Sequence, residues 1–209
     1  MTMDLILASA SPRRQQLLRE AGYSLTIVPA EIDERRRRGE APADLALRLA
    51  RAKAAAVAER HPAGIVLGAD TIVVLGDRVL GKPESMAQAR EMLRALGGRE
   101  HRVLTGVALL RLRPPQAASW VCTTAVVFRP LDKALVDRYT RLVNPLDKAG
   151  AYGIQEHGDL LVRRVSGLVS NVIGLPVEEV REKLILFDGW CRYRNPTERG
   201  WQNLGSGVS

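Results

Sequence analysis

The chain has few of the residues from which metal sites, disulfide frameworks and membrane spans are built. Its two cysteines, Cys122 and Cys191, and its three histidines form no metal-ligand spacing and no HExxH motif. We therefore expect neither a disulfide framework nor a structural zinc site. No apolar stretch approaches the ~20 residues of a bilayer span, and the apolar segment 5–8 is too short for a signal-peptide core. These absences favour a cytoplasmic enzyme with no membrane partner.

Aromatic residues make up only 4% of the chain, and 23 acidic residues face 31 basic ones, for a formal net charge of +8. Such an excess attracts anions, whether nucleotides, nucleic acid or membrane headgroups. The few aromatics leave little material for the base-stacking platforms of single-strand binders. The run Arg35-Arg36-Arg37-Arg38 predicts a solvated loop, because neighbouring like charges repel. We expect no nucleic-acid partner.

The 209 residues, 46% of them hydrophobic, suffice for one sizeable core or for two small lobes that share a cleft. Strand-like runs alternate with helical patterns, and Gly76-Asp77 between two apolar runs indicates a hairpin. A mixed-sheet α/β fold is therefore favoured over a purely parallel one. Because the composition changes after Phe187, we predict one domain at 1–187 and a poorly ordered tail at 188–209. Helices are predicted at 13–21, 42–60, 86–96, 132–142 and 175–186, and strands at 5–8, 25–28, 65–67, 71–75, 79–80, 101–111, 120–129 and 160–162.

Asp70 lies in the segment Gly68-Ala69-Asp70-Thr71, which follows the short aliphatic run 65–67. The run predicts a buried strand that ends at Asp70, and ligand sites of open α/β sheets lie at such strand ends. A carboxylate there needs a crevice, a metal or a partner, because burying it unpaired is too costly. Taken alone, the segment is explained equally well by a turn residue that caps the strand.

The segment Ser9 to Arg14 predicts a turn from a strand into a helix. Ser11 suits the N-cap and Pro12 the first helical position. The N-terminus of a helix presents free amides and a positive dipole end, and Arg13 and Arg14 would add donors for a phosphate. A well-capped helix with two exposed arginines is an equally good interpretation.

Four charged residues from separate segments could act together on a polyphosphate. Lys53 falls on the apolar side of its helix, where snorkelling to the helix edge is the alternative, and Lys82 precedes a proline that stiffens its loop. The two lysines could bind phosphates while Glu34 and Asp70 hold a divalent ion, Mg²⁺ or Mn²⁺. Neither GxxxxGK[ST] nor GxGxxG occurs, so a nucleotide site would be of another kind.

The glycine-rich stretch 147–155 would let the backbone approach a ligand closely. Gln155 at its end offers both a donor and an acceptor, as the edge of a pyrimidine requires.

Taken in order, several segments resemble the Maf family of nucleoside triphosphate pyrophosphatases, and they span residues 5–176. The resemblance implies a Maf/ITPase-like elongated α/β fold in which a central mixed sheet with flanking helices forms two lobes around a cleft. It also implies metal-dependent hydrolysis of a nucleoside triphosphate to the monophosphate and pyrophosphate, with a homodimer as the candidate assembly. The segments are LILASASPRRQQLL at 5–18, the acidic turn with Glu34, LARAKA at 49–54, GADTIV at 68–73, GKP at 81–83, LTGVAL at 104–109, PLDKAGAYGIQ at 145–155 and NVIGLP at 171–176.

The resemblance also implies roles for particular residues. The aspartate matched by Asp70 is the family's proposed general base for the water that attacks the α-phosphorus, and Asp70 or Glu34 would hold the metal. Arg14, Lys53 and Lys82 match the basic positions that face the phosphates in the family. The positions that match its substrate-binding residues are Ser11, Arg14, Glu34, Lys53 and Lys82.

Within that family one branch favours dTTP and UTP and another favours 7-methyl-GTP. The second branch carries Trp, Gln and Glu where this chain has Arg13, Thr71 and Gln155. An amide suits the imide edge of a pyrimidine, whereas a carboxylate suits a cationic methylated purine. We therefore predict a house-cleaning pyrophosphatase for dTTP, UTP and modified pyrimidine forms. The chain departs from this branch at Glu156-His157, where a glycine is usual after the glutamine.

Two other functions are compatible with parts of the sequence. The positive charge and the arginine run fit a nucleotide- or nucleic-acid-binding regulator linked to septum formation, which would bind nucleotide without releasing pyrophosphate. A pyrophosphatase for inosine or xanthosine triphosphate on a similar fold has no motif of its own in this chain.

Overall fold

A computed structural model of the chain describes residues 5–187, and the predicted tail at 188–209 lies outside this range. Within the described range, no helix combines the length and apolarity needed to cross a membrane. The strands are β1 (Leu5–Leu7), β2 (Leu25–Ile27), β3 (Ile65–Leu75), β4 (Arg78–Leu80), β5 (Glu100–Leu112), β6 (Pro115–Phe128) and β7 (Val162–Ser166). The helices are α1 (Pro12–Glu20), α2 (Pro42–Ala58), α3 (Met86–Leu96), α4 (Lys133–Leu142), α5 (Val169–Ile173) and α6 (Val177–Leu186).

The strands form one mixed sheet in the order β2-β1-β3-β5-β6-β7, and β4 pairs with the far end of β3. β1 is parallel to β2 and β3, whereas the remaining pairs are antiparallel. The predicted α/β class and the hairpin at Gly76-Asp77 are therefore confirmed.

The helices cover the two faces of this sheet unequally. Among the helices of residues 5–187, only α2 packs on one face, against side chains such as Val66, Ala108 and Leu104. On the other face, α1 and α6 pack with one apolar cluster, and α3 and α4 pack with a second. The hydroxyls of Thr71 and Thr105 lie between these clusters, 2.9 Å apart. This polar layer divides the face into two apolar clusters, as expected of two lobes.

The edge of β3 changes its partner halfway along its length. β1 pairs with residues 65–67 and β4 with residues 73–75, so 68–72 has no strand on this edge in the described range. On its other edge β3 pairs with β5 throughout 66–74. The prediction that Asp70 ends a strand is therefore wrong: it lies mid-strand, opposite Gly106. Gly68 is there for packing and does not end the strand, because an added Cβ would lie 2.2 Å from the carbonyl oxygen of Ala50 on α2.

The C-terminal elements also differ from the prediction. Residues 158–160 form a 3₁₀ turn, and the strand predicted at 160–162 occupies Val162–Ser166 instead, where it pairs with β6. The short helix α5 was not predicted, and α6 begins at Val177, two residues later than expected. The other predicted helices lie within a few residues of their observed positions.

Candidate active site

A cleft of about 880 Å³ opens beside the unpaired edge of β3. Because successive residues of a strand point to opposite faces, it receives Asp70 from the face covered by α2 and Thr71 from the other. All of the residues that the sequence singled out line this cleft, together with Asp147, Glu156 and Gly174: Ser11, Arg13, Arg14, Glu34, Lys53, Asp70, Thr71, Lys82 and Gln155.

Lys53 binds two carboxylates at the floor of the cleft. Its Nζ lies 2.7 Å from Oδ1 of Asp70 and 2.7 Å from Oε1 of Glu34. Lys53 and Asp70 are each only 8% exposed, so their pairing offsets much of the cost of burying both charges. Snorkelling is therefore not the explanation for Lys53. The ammonium has three N–H donors, which leaves one for a ligand.

Glu34 stays ionised although part of its surface is buried. Burial by itself would raise the pKa of its carboxyl, but the hydrogen bond and charge of Lys53, with the charges of Lys82 and Arg14, lower it overall. Lys82 is exposed and has no ion-pair partner in the part of the chain that the structure describes. Its ammonium is thus available to an anion.

Arg14 is held rigidly on the opposite wall. Burial lowers its pKa, against the opposing charge of Asp70, yet a guanidinium stays protonated at neutral pH. Its Nε donates to the carbonyl of Gly174 at 2.9 Å, Nη1 to Oγ of Ser9 at 3.0 Å and Nη2 to Oγ1 of Thr71 at 3.0 Å. Two of its five N–H groups remain for a ligand.

The N-terminus of α1 favours an anion. Ser11 is the N-cap residue, as predicted, but its hydroxyl makes no capping hydrogen bond. The first turn holds two arginines and no acidic residue, which is unfavourable at the positive end of a helix dipole. A bound phosphate would relieve this repulsion.

The loop 144–156 forms the far end of the cleft, and we call it the distal loop. Gln155 is exposed on it and has no hydrogen-bond partner within residues 5–187. Arg13 reaches the loop from α1, where its Nη1 lies 3.1 Å from Oδ2 of Asp147. Burial alone would raise the pKa of Asp147, but hydrogen bonds from Lys148 and Arg13 lower it overall.

Sequence reasoning missed Asp147 and Lys148 as individual parts of the site. Each lies in a segment that the sequence analysis had singled out, so the segment could be predicted. The contact of Asp147 with Arg13 could not, because it joins distant parts of the chain.

Buried aromatic residues pack under the distal loop and hydrogen-bond to it. The Tyr139 hydroxyl accepts a hydrogen bond from the backbone N–H of Gly153 at 3.1 Å, and the Tyr152 hydroxyl lies 2.8 Å from Nε2 of His101. His101 is 2% exposed and contacts the Phe128 ring edge-on. Burial lowers its pKa to about 4.

His101 should make folding stability sensitive to acid. Since its pKa lies near 4 in the fold and near 6.5 in the unfolded chain, only the unfolded chain gains this proton as the pH falls through that window. The free energy of unfolding should therefore decline from pH 6.5 to 4, by up to roughly 3 kcal/mol from this residue. Urea titrations of the wild type and of His101→Gln at several pH values measure the difference. His157 is exposed, and His157→Asn should keep the wild-type dependence of the free energy of unfolding on pH. An unchanged pH dependence in His101→Gln would contradict this account.

The donor set of the cleft fits a divalent cation that is held jointly with a ligand. Glu34 and Asp70 converge on Lys53 and supply carboxylate oxygens, the ligands that Mg²⁺ and Mn²⁺ prefer. Within residues 5–187, no group of three or more His, Cys, Asp or Glu is placed to hold a metal. The protein would thus provide one or two carboxylates, with phosphate oxygens and water completing the coordination.

Basic side chains at the N-terminus of α1 and a carboxylate pair on Lys53 line one cleft of this mixed α/β sheet, an arrangement whose charges would suit a polyphosphate. The chain belongs to the Maf family: the family model described as Maf-like protein matches residues 4–187. Relatives named dTTP/UTP pyrophosphatase include proteins from Symbiobacterium thermophilum, 48% identical over 88% of this chain and 93% of the relative, and from Anaeromyxobacter dehalogenans, 50% identical over 84% and 89%. A third, from Moorella thermoacetica, is 49% identical over 90% of this chain and 98% of its own length.

Proposed function

We propose that this protein hydrolyses dTTP and UTP to the monophosphate and pyrophosphate, and so clears these nucleotides and their modified forms from cellular pools. The observation that carries the proposal is the carboxylate pair on Lys53 opposite the arginine-rich N-terminus of α1. The family relationship and the names of the relatives support the same reaction. A cytoplasmic location follows from the proposed substrates, and a homodimer is the assembly that the resemblance implies.

The cationic groups would bind the triphosphate from two sides. Arg14 retains two N–H donors and Lys53 retains one, while Lys82 is unpaired in the described range. Ser11 adds a hydroxyl that makes no capping bond. These fixed charges would stabilise the negative charge that develops on the leaving pyrophosphate.

Asp70 would take the proton from the attacking water. Its Oδ1 binds Lys53 at 2.7 Å, which orients the carboxylate and leaves the second oxygen for the water. A divalent ion held by Asp70 or Glu34 would supply Lewis-acid activation of the phosphate and would lower the pKa of bound water.

Gln155 is the residue that would read the base directly, because its amide is exposed on the cleft and matches an imide edge. Arg13 and Thr71 have their polar groups bound to Asp147 and Arg14. They would therefore influence specificity by fixing neighbouring groups.

Pyrophosphate release from dTTP, UTP, CTP, 7-methyl-GTP and ITP tests the proposal, with Mg²⁺ or Mn²⁺ and with EDTA. We expect metal-dependent release that is fastest with dTTP and UTP. Equal or better turnover of 7-methyl-GTP would overturn the assigned specificity.

A regulator that binds nucleotide without hydrolysis is the alternative outcome of this assay. The observation in its favour is that Arg35, Arg36, Arg37 and Arg38 are all exposed, as the sequence predicted. Nucleotide binding by folded protein with no pyrophosphate release from any of the five substrates would support it.

A further inference from the structure

Lys148 is a fully satisfied buried cation next to the cleft. It is 3% exposed, and its Nζ lies 2.9 Å from the carbonyl oxygen of Asn144, 2.7 Å from Oδ1 of Asp147 and 3.0 Å from Oε1 of Glu156. The contacts with Asn144 and Asp147 are hydrogen bonds and the contact with Glu156 is an ion pair, so the charge is fully paired. A buried charge persists only with such pairing.

The distal loop packs around the stem of this side chain. An added Cβ on Gly153 would lie 2.8 Å from Cε and 3.1 Å from Cδ of Lys148. Gly150 adopts a φ of +70°, a conformation that suits glycine, and packs against Val73. Gly153 therefore leaves the space that the stem of Lys148 occupies.

The partners of Lys148 lie at the two ends of the loop, and each lies next to a residue that lines the cleft, Arg13 or Gln155. Asp147 uses its other oxygen, Oδ2, and its carbonyl to accept hydrogen bonds from Arg13 at 3.1 and 3.3 Å. Glu156 is the immediate neighbour of Gln155. The ammonium thus links the arginine on α1 with the amide at the far end of the cleft.

We propose that Lys148 is a positioning residue for nucleobase recognition, which holds Asp147 and Glu156 and thereby fixes Arg13 and Gln155 around the base. The proposal rests on the proposed function, because it assigns a nucleobase to this end of the cleft. It also gives Glu156 a role: its carboxylate neutralises Lys148 and is not free to attract a cationic methylated purine.

Lys148→Met tests the proposal, because it removes the charge and keeps most of the stem. The two carboxylates would then repel each other and the loop would shift. We expect KM for dTTP and UTP to rise roughly tenfold with kcat within about threefold, since binding common to ground and transition states is lost. The ratio of kcat/KM for dTTP to kcat/KM for 7-methyl-GTP should fall. In the double variant Lys148→Met/Glu156→Gln, KM should return part of the way to the wild-type value.

Lys183→Met is the matched control, because Lys183 is exposed on the last turn of α6, and its KM should equal that of the wild type. Wild-type KM in folded Lys148→Met would overturn the proposal, even if its melting temperature falls, since the residue would then be only structural. If Lys148→Met does not fold, Glu156→Gln decides: a KM raised a few-fold supports the proposal, and an unchanged KM overturns it.

Titration calorimetry with dTTP in EDTA separates this proposal from the proposed function. If the wild type binds dTTP but hydrolyses neither dTTP nor UTP, the proposed function fails on its own. Lys148→Met should then still bind dTTP about tenfold more weakly. Equal affinities of the wild type and Lys148→Met for dTTP would overturn the positioning role.

Discussion

Asp70→Asn should abolish most turnover while the nucleotide still binds. We expect kcat for pyrophosphate release from dTTP to fall by about 10²- to 10⁴-fold, the range associated with loss of a general base. The amide keeps the shape of the carboxylate and can accept the hydrogen bond from Lys53, but it cannot take a proton from water. Glu34 remains to neutralise Lys53, so the fold should survive. Steady-state kinetics and dTTP calorimetry measure the two effects separately.

Asp77→Asn provides the matched control, since Asp77 is an exposed carboxylate in the β3–β4 turn of the same hairpin. Its kcat should stay within about twofold of the wild type, as for most surface substitutions. Near-normal kcat in Asp70→Asn would show that Asp70 only anchors Lys53. Loss of dTTP binding together with turnover would instead place Asp70 in binding of the ligand or its metal and would remove the evidence for a base.

The sequence predicted which residues line the site because their chemical types are visible locally. A lysine on the apolar side of a helix, two arginines after a Ser-Pro cap and an aspartate in a buried run each require an explanation wherever they occur. The structure brings Lys53, Arg14 and Asp70 to one cleft, although none of these segments is adjacent in the chain.

The sequence did not predict how these side chains are bound. Arg13 contacts Asp147 across 134 positions and Arg14 contacts Gly174 across 160, and no local pattern encodes such pairs. The wrong prediction for the end of β3 has the same cause. Whether a strand continues through Gly68 depends on pairing with β5 and on the approach of α2, and both are tertiary.

That close approach makes Gly68 a sensitive position outside the site chemistry. In Gly68→Ala, the new Cβ would lie 2.2 Å from the carbonyl oxygen of Ala50 and 2.7 Å from the backbone nitrogen of Ala54. Both are helix backbone, which cannot rotate aside as a side chain can, so α2 must move. We expect a loss of roughly 3 kcal/mol in the free energy of unfolding, at the upper end for overpacking, and a melting temperature lower by about 6–12 °C.

The same displacement should reach the active site, because Lys53 lies on the turn of α2 that Gly68 contacts and Asp70 is two residues beyond Gly68. We expect Gly68→Ala to lose activity even below its melting temperature, as the 2.7 Å contact between Lys53 and Asp70 opens. Gly81→Ala is the control for stability: a Cβ there meets nothing within 4 Å, and its effect should stay within about 0.5 kcal/mol. A melting temperature for Gly68→Ala close to that of Gly81→Ala would mean that α2 can move without loss of stability. Lost stability with full activity would show that the helix shifts without moving Lys53, and would separate the packing of α2 from its part in the site.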